Sequence, residues 1–562
     1  TAFKKMFDDG LIYRGIRVIN WDPKGQTAVS DDEVEYKQEK GQLFFFKYSE
    51  DFPIEIATTR PETKVGDTAV AVNPNDDRYK QYIGKEYDVN FAGVDLHIKI
   101  IADESIDPTF GTGALGVTPA HSMVDYELSQ KHELPYITVI NEYGKMTENA
   151  GELLAGKKTK DAREVLVEWL SHNGLLRKID FIEQNIPIAE RSGGLIEPLP
   201  KLQWFIDVDK EFAIKNSKID GISSGQTVTL KTLMQTVVKN GQIKILPERE
   251  EKKYFHWINN LRDWNISRQL WYGHRIPVWY KGEEIYCGIE APDGEDWTQD
   301  EDTLDTWFSS ALWTFTTLGW PEETDDLKTY HPTSFMSPGY EILFPWVARM
   351  ILMSTYHLGE IPFKIAYLHG IVRDAKGQKF SKSLDNGVDP VTVIDQYGAD
   401  ALRMALIVGV GPGNDTKYDI QKVKGYRNFA NKIWNASRFV LQNLQDYKNP
   451  GDVELSEEDK KIVDEVQTIA DQTTKLMEEY DIAHAAENLY HFFWHRFADQ
   501  VIEESKAKLD DESRRASAQK MLLTILEIQL KMLHPFTPFV TEAVWQLTHN
   551  KLLLIESWPG KQ

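Results

Sequence analysis

Ile365-Ala366-Tyr367-Leu368-His369-Gly370-Ile371-Val372, Lys379-Phe380-Ser381-Lys382-Ser383 and Asp389-Pro390 follow one another as an apolar run, a lysine loop and a helix start. The apolar run predicts a buried strand, and Gly377 and Gly387 let the loop bend. Asp389-Pro390 supplies an N-cap oxygen and a pre-set φ. Lys379 and Lys382, separated by small hydroxyl residues, offer a pendant ammonium to a triphosphate, with Ser381, Ser383 or backbone N–H groups to orient it. As a bare pattern the same string is also an ordinary solvated basic turn. Working outward, residues 257–415 alternate strand and helix signals, the rhythm of a parallel α/β sheet.

Upstream of that segment, short alternating or β-branched runs predict a β-rich module, among them Leu43-Phe44-Phe45-Phe46-Lys47-Tyr48 and Leu96-His97-Ile98-Lys99-Ile100-Ile101. Helical periodicity returns at Lys160 to Asn173. From Val423 onward nearly everything has helical period, including 428–441, 457–480 and 517–533, so a helical bundle closes the chain.

With 562 residues the chain is too long for one core and predicts three or four domains. A hydrophobic content of 41% argues against disorder, and no apolar run is long enough to cross a bilayer. The single cysteine, Cys287, excludes an internal disulfide and a thiolate zinc cluster. A net charge of −23 excludes a surface that attracts nucleic acid all over, leaving local basic tracks. Lys422, Lys424, Arg427, Lys432 and Arg438 form the candidate track, or an ordinary solvated helix face.

Lys379-Phe380-Ser381-Lys382-Ser383 resembles the second ATP signature of class I aminoacyl-tRNA synthetases, with Phe380 in place of a methionine. Three further stretches resemble the valyl branch of that family: 267–277, the Asp305-Thr306-Trp307-Phe308-Ser309-Ser310 run, and 426–435. Isoleucyl and leucyl relatives share the plan, and an isoleucyl enzyme is the alternative within the family. The resemblance covers nearly all of the chain and implies a multidomain α/β fold. In that plan, 1–20 end the first catalytic half and 21–206 form a β-rich editing domain. Residues 207–256 connect it to 257–420, the second half of a Rossmann-type parallel α/β catalytic domain. Residues 421–562 form an α-helical anticodon-binding bundle. A HIGH-type signature and a C-terminal coiled-coil arm, which the family carries, are expected outside these 562 residues.

The resemblance implies ATP-dependent activation of valine and its transfer to tRNA(Val), by a cytoplasmic monomer that uses ATP with Mg2+ as substrate and touches no membrane. Lys379, Lys382, Ser381 and Ser383 would serve the phosphates, and Gly339 and Glu341 the nucleotide. Trp264, Trp271, Tyr272 and Trp307 would wall the amino-acid pocket, or belong to the core as aromatics do by default. No zinc is expected, because the family's knuckle positions hold Asp22, Gly25, Ala189 and Ser192. His491 and His495 at i,i+4 lack a nearby carboxylate triad. Non-ligating histidines are expected there.

Thr58-Thr59-Arg60-Pro61-Glu62-Thr63 places three hydroxyls and a guanidinium at a strand end, which is either a turn with local Thr caps or a polar site. It matches the family's editing signature, whose second half would be Gly111 to His121, followed by Asp125. Thr58, Thr59, Arg60, Thr63 and Thr118 would line that pocket, and Asp125 would grip the α-ammonium. An apolar valine pocket rejects threonine only about a hundredfold, a figure already established for valyl enzymes, and hydrolysis of threonyl-tRNA(Val) supplies the rest. Gly116 and Ser122 stand where a lysine and an aspartate are expected. Two rival functions use less of the chain: a free-standing tRNA-editing hydrolase and a non-enzymatic tRNA-binding remnant.

Overall fold

A computed structural model describes residues 1–380, 385–447, 451 and 453–559. Its contacts divide it into two compact units, one of residues 1–244, 253–334 and 344–364, the other of residues 245–252, 335–343 and 365–562.

In the first unit, the strand Val34–Phe46 pairs antiparallel with Leu176–Ala189, and a bulge between Phe45 and Phe46 shifts the register. On its other side Phe44 faces Thr58 and Phe46 faces Ile56, so the short strand Ile56–Thr58 delivers the Thr-rich segment to a sheet edge. A second sheet runs Glu86–Phe91, Val94–Ala102, Ala69–Val72 and Ala114–Val117. Ala69–Val72 is buried on both faces because it separates two cores. Val70 and Val72 enter a large cluster with Phe46, Ile56 and Phe91, whereas Ala69 and Ala71 meet Val117 and Leu128 of a smaller one. Burying each valine stabilises the module by roughly 2 kcal/mol. Small residues on one side admit the helix Met123–His132, which Ser122 caps by accepting the Asp125 N–H.

In the second unit, the expected strand 365–372 is interrupted into Ile365–Tyr367 and Val372–Arg373. The cause is a close backbone passage at Gly370, where a Cβ would lie 1.8 Å from the Asn414 carbonyl oxygen. Pairing there is parallel, between Val372–Arg373 and Thr416–Lys417 and at the bridges Met336 to Ala366 and Gly339 to His369. Three long helices follow, Ile420–Gln442, Glu457–Glu478 and Glu512–Leu533. Asp419, Ser456 and Asp511 cap them. Their apolar stripes close on one core that includes Phe429, Ile433, Phe493, Phe497, Ile525 and Leu533. Among the described residues no helix is long and apolar enough to cross a membrane.

Ser337 to Glu341 leads into a 3-10 turn, Tyr340–Ile342, rather than directly into an α-helix. A wide π turn, Leu343–Ala348, comes next and holds Pro345; the α-helix is Arg349–His357. Proline is tolerated in such a wide opening turn because the N–H it lacks has no required helical acceptor.

Candidate functional site

Thr58 and Thr63 close the Thr-rich turn on itself. Thr58 Oγ1 accepts the Arg60 N–H at 3.0 Å, and Thr63 Oγ1 donates to the Arg60 carbonyl at 2.9 Å. Thr59 is half-buried, and its hydroxyl has no protein partner among the described residues. The expectation that Arg60 lines the pocket needs correction, because its guanidinium is committed to two carboxylates. Its Nη2 donates to Glu197 at 2.6 Å and its Nε to Glu62 at 3.3 Å. Burial opposes the charge of Arg60, and the two carboxylates outweigh that and hold its pKa above the ordinary value. Glu62, fully buried, also receives Arg163 in a bidentate fork at 2.8 and 2.8 Å.

The two halves of the signature do meet, at Thr63 and Thr118, whose hydroxyl oxygens lie 3.5 Å apart, and through residues that local sequence reasoning missed. Lys64 Nζ donates to the Gly116 carbonyl at 2.6 Å, to Thr118 Oγ1 at 2.7 Å and to Asp67 Oδ1 at 3.2 Å. Asp67 in turn accepts from the Tyr48 and Thr118 hydroxyls. Burial raises the Asp67 carboxyl pKa, against the pull of Lys64. Thr118 N–H donates to Asp125 Oδ2 at 2.8 Å, which fixes that buried carboxylate beside the Thr118 backbone. The one local hint was a Lys and an Asp three apart just before the apolar run Ala69–Val72.

His121, in the second half of the signature, is a neutral strut. Its Nδ1 sits 3.2 Å from the Pro198 carbonyl, and its Nε2 accepts the Val139 and Ile140 N–H groups at 2.8 and 3.1 Å. An acceptor at Nε2 places the proton on Nδ1. Burial, aided by the Arg60 charge, pushes its pKa down to about 3. The unfolded chain, with an ordinary histidine near 6.5, therefore takes up a proton that the folded one refuses as pH falls. The expected result is a loss of roughly 2 kcal/mol of module stability between pH 7.5 and 5. His121→Gln should flatten that part of the profile; denaturant midpoints for both proteins across this range check it, and parallel profiles would refute it.

In the second unit, Lys379 Nζ meets Glu341 Oε1 at 2.9 Å, joining the start of the lysine loop to the segment that Gly339 opens. Gly377 adopts φ 84°, where a side chain would be strained. Gly339 bridges His369, and the Tyr340 N–H donates to the His369 carbonyl at 3.0 Å. Ser381, Lys382 and Ser383 lie outside the described residues.

The expected aromatic wall is not assembled. Trp271 and Tyr272 are 97% and 91% exposed on the loop after Leu270, and Trp307 is half-buried. Trp264 is buried, donates its Nε1–H to Asp305 at 3.0 Å and carries the Arg349 guanidinium 4.3 Å above its ring. It belongs to a charged core with Arg268 and Asp32. Of the basic track, Lys422 donates to the Val408 carbonyl at 2.7 Å and Lys432 pairs with Asp499 at 2.7 Å. Those two are committed within the chain. At the zinc-knuckle positions, Asp22 turns its carboxylate onto the Lys24 N–H at 2.9 Å. His491 and His495 stack, ring centroids 5.7 Å apart.

Residues 1–419 match the family of tRNA synthetases class I (I, L, M and V). The chain belongs to this family. Residues 459–562 match the anticodon-binding domain of tRNA ligase. Similar curated proteins are named valine–tRNA ligase. That of Clostridium acetobutylicum is 44% identical over 100% of this chain and 63% of its own length. Those of Lactobacillus johnsonii and Thermotoga maritima are 45% and 43% identical, each over 99% of this chain and 63% of their own length. The chain thus spans 63% of the length of these relatives. The LeuRS chain of a ternary LeuRS-tRNA-LeuAMS complex from Agrobacterium radiobacter K84 shares the fold. Its TM-score is 0.52 at 18% identity, covering 99% of this chain and 73% of that one.

Proposed function

We propose that the chain contributes to the valine-specific chemistry of its relatives, being incomplete by itself for activation of valine with ATP and Mg2+ and transfer to tRNA(Val), and that its β-rich module hydrolyses threonyl-tRNA(Val). The observation that carries this reading is the 44% identity to valine–tRNA ligase sustained over 100% of the chain. Activation is attack of the valine carboxylate on the α-phosphate of ATP. The protein's share is positioning and charge neutralisation, with no covalent enzyme intermediate. Lys379 and Lys382 are assigned to the phosphates, with Ser381 and Ser383 orienting them, and Gly339 and Glu341 to the nucleoside. The Lys379–Glu341 pair is more than a third exposed at both ends, so it can open to a ligand at little cost. Trp271, Tyr272 and Trp307, although they form no common wall in this structure, are assigned to the amino acid, and the helical part to tRNA.

Valine-dependent exchange of pyrophosphate into ATP by the full-length gene product tests the ligase reading; exchange with isoleucine and none with valine would overturn it. In that protein Lys382→Ala is expected to slow activation strongly while valine binding changes little, because the ammonium acts on charge that develops in the transition state. Equal losses in binding and rate would make Lys382 a structural residue.

For the β-rich module, Thr58, Thr59, Arg60, Thr63, Thr118 and Asp125 are assigned to deacylation, with Arg60 acting through the turn it anchors. The test is release of threonine from threonyl-tRNA(Val), with valyl-tRNA(Val) as the substrate to be spared. Equal rates on both would remove the editing assignment.

A further inference from the structure

We infer that Lys64 is a positioning residue of the deacylation site, an assignment that rests on the reading just given. Lys64 is 4% exposed, on the turn Pro61–Gly66 that continues the Thr-rich segment. An ammonium has three protons to place, and here all three have acceptors: Gly116 O, Thr118 Oγ1 and Asp67 Oδ1. Two of these acceptors belong to the other half of the site, more than fifty residues along the chain. A buried ion pair is weak evidence for stability, since an apolar side chain of similar length often serves the fold as well or better. What the ammonium provides that an apolar residue cannot is a fixed relation between the two segments.

The surroundings are shaped to this arrangement. A Cβ at Gly116 would lie 2.4 Å from Asp67 Oδ2 and 2.6 Å from the Tyr48 hydroxyl oxygen. The side chain missing at 116 is therefore replaced by the Asp67–Tyr48 pair, while the Gly116 carbonyl is left to Lys64. From Thr118 the constraint passes through its N–H to Asp125 Oδ2. Lys64 thus sets the separation of Thr59 from Asp125 without being placed against the substrate. Sequence comparison by position would record only a lost lysine at 116. The structure assigns an ammonium at that carbonyl from residue 64.

The test measures threonyl-tRNA(Val) deacylation and thermal melting for the wild-type chain, Lys64→Met, Lys64→Met/Asp67→Asn and Asp125→Ala. Lys64→Met is expected to lower kcat about thirtyfold with KM within about twofold, the pattern of a displaced site rather than of lost substrate contact. The double variant removes the charge from both members of the buried pair. It is expected to recover the melting temperature and not kcat. It also keeps the question open to measurement if Lys64→Met fails to fold. Wild-type kcat in Lys64→Met, or recovery of kcat together with melting in the double variant, overturns the assignment. If the wild-type chain is inactive, or Asp125→Ala is as active as wild type, the deacylation reading itself falls and takes Lys64 with it. Activity that needs Asp125 and ignores Lys64 overturns Lys64 alone.

Discussion

Glu62→Ala is expected to destabilise the β-rich module by about 3 kcal/mol, the largest single loss anticipated for a change away from the apolar core. Glu62 is fully buried, and its two oxygens hold Arg163 through both arms of its fork and Arg60 through Nε. Burial alone would raise the carboxyl pKa, yet Arg163 and Arg60 bring it below the usual value, so the charged form is the one folded around. Removing it leaves the guanidinium groups of Arg60 and Arg163 without the carboxylate they share, Arg60 keeping Glu197. They are 28% and 31% exposed, so water screens part of the uncompensated charge and the estimate sits at the low end of the range for a broken buried pair, about 3 to 5 kcal/mol. Glu62→Gln, which keeps the volume and one acceptor oxygen, should lose less. The measurement is hydrogen exchange of the strand Ala69–Val72, which reports opening of this module. A loss under about 1 kcal/mol would show that the network behaves as a solvated surface pair.

What was legible in the sequence follows from the range of the interactions involved. The helices Ile420–Gln442, Glu457–Glu478 and Glu512–Leu533 announce themselves through a 3.6-residue apolar period and N-capping Asp or Ser, both local signals. The Thr-rich turn was legible for the same reason, since Thr58 and Thr63 bond to Arg60 two and three residues away. Arg60 was misjudged because a decisive partner, Glu197, is 137 positions distant. Lys64 was passed over because a lysine is expected at the surface unless a partner is known. Two of its three acceptors lie 52 and 54 positions away. The strand 365–372 was overextended because nothing in its own sequence reveals that Asn414 crosses at Gly370. Aromatic residues are assigned to cores by default, and Trp271 and Tyr272 depart from that rule on an exposed loop.

Asp125→Ala is expected to lower threonyl-tRNA(Val) deacylation about thirtyfold or more, a loss of roughly 2 kcal/mol or more for a charged hydrogen bond to the substrate ammonium. The structure gives this carboxylate two possible duties, and they can be separated. One oxygen accepts the Thr118 N–H at 2.8 Å and so holds the end of the strand Ala114–Val117 against the helix Met123–His132. The other has no protein donor among the described residues and is the one assigned to the ligand. Asp125→Asn retains an oxygen for Thr118 and loses the negative charge. If the charge recognises the ammonium, Asn and Ala variants should be similarly inactive, about thirtyfold or more below wild type, while only the Ala variant loses stability as well. Thr59→Ala, which removes a neutral hydroxyl, should cost less, about 1 kcal/mol or fivefold in kcat/KM. Steady-state deacylation of the three variants, read against their melting temperatures, decides the matter. An Asn variant as active as wild type would reduce Asp125 to a brace for Thr118 and move the ammonium site elsewhere.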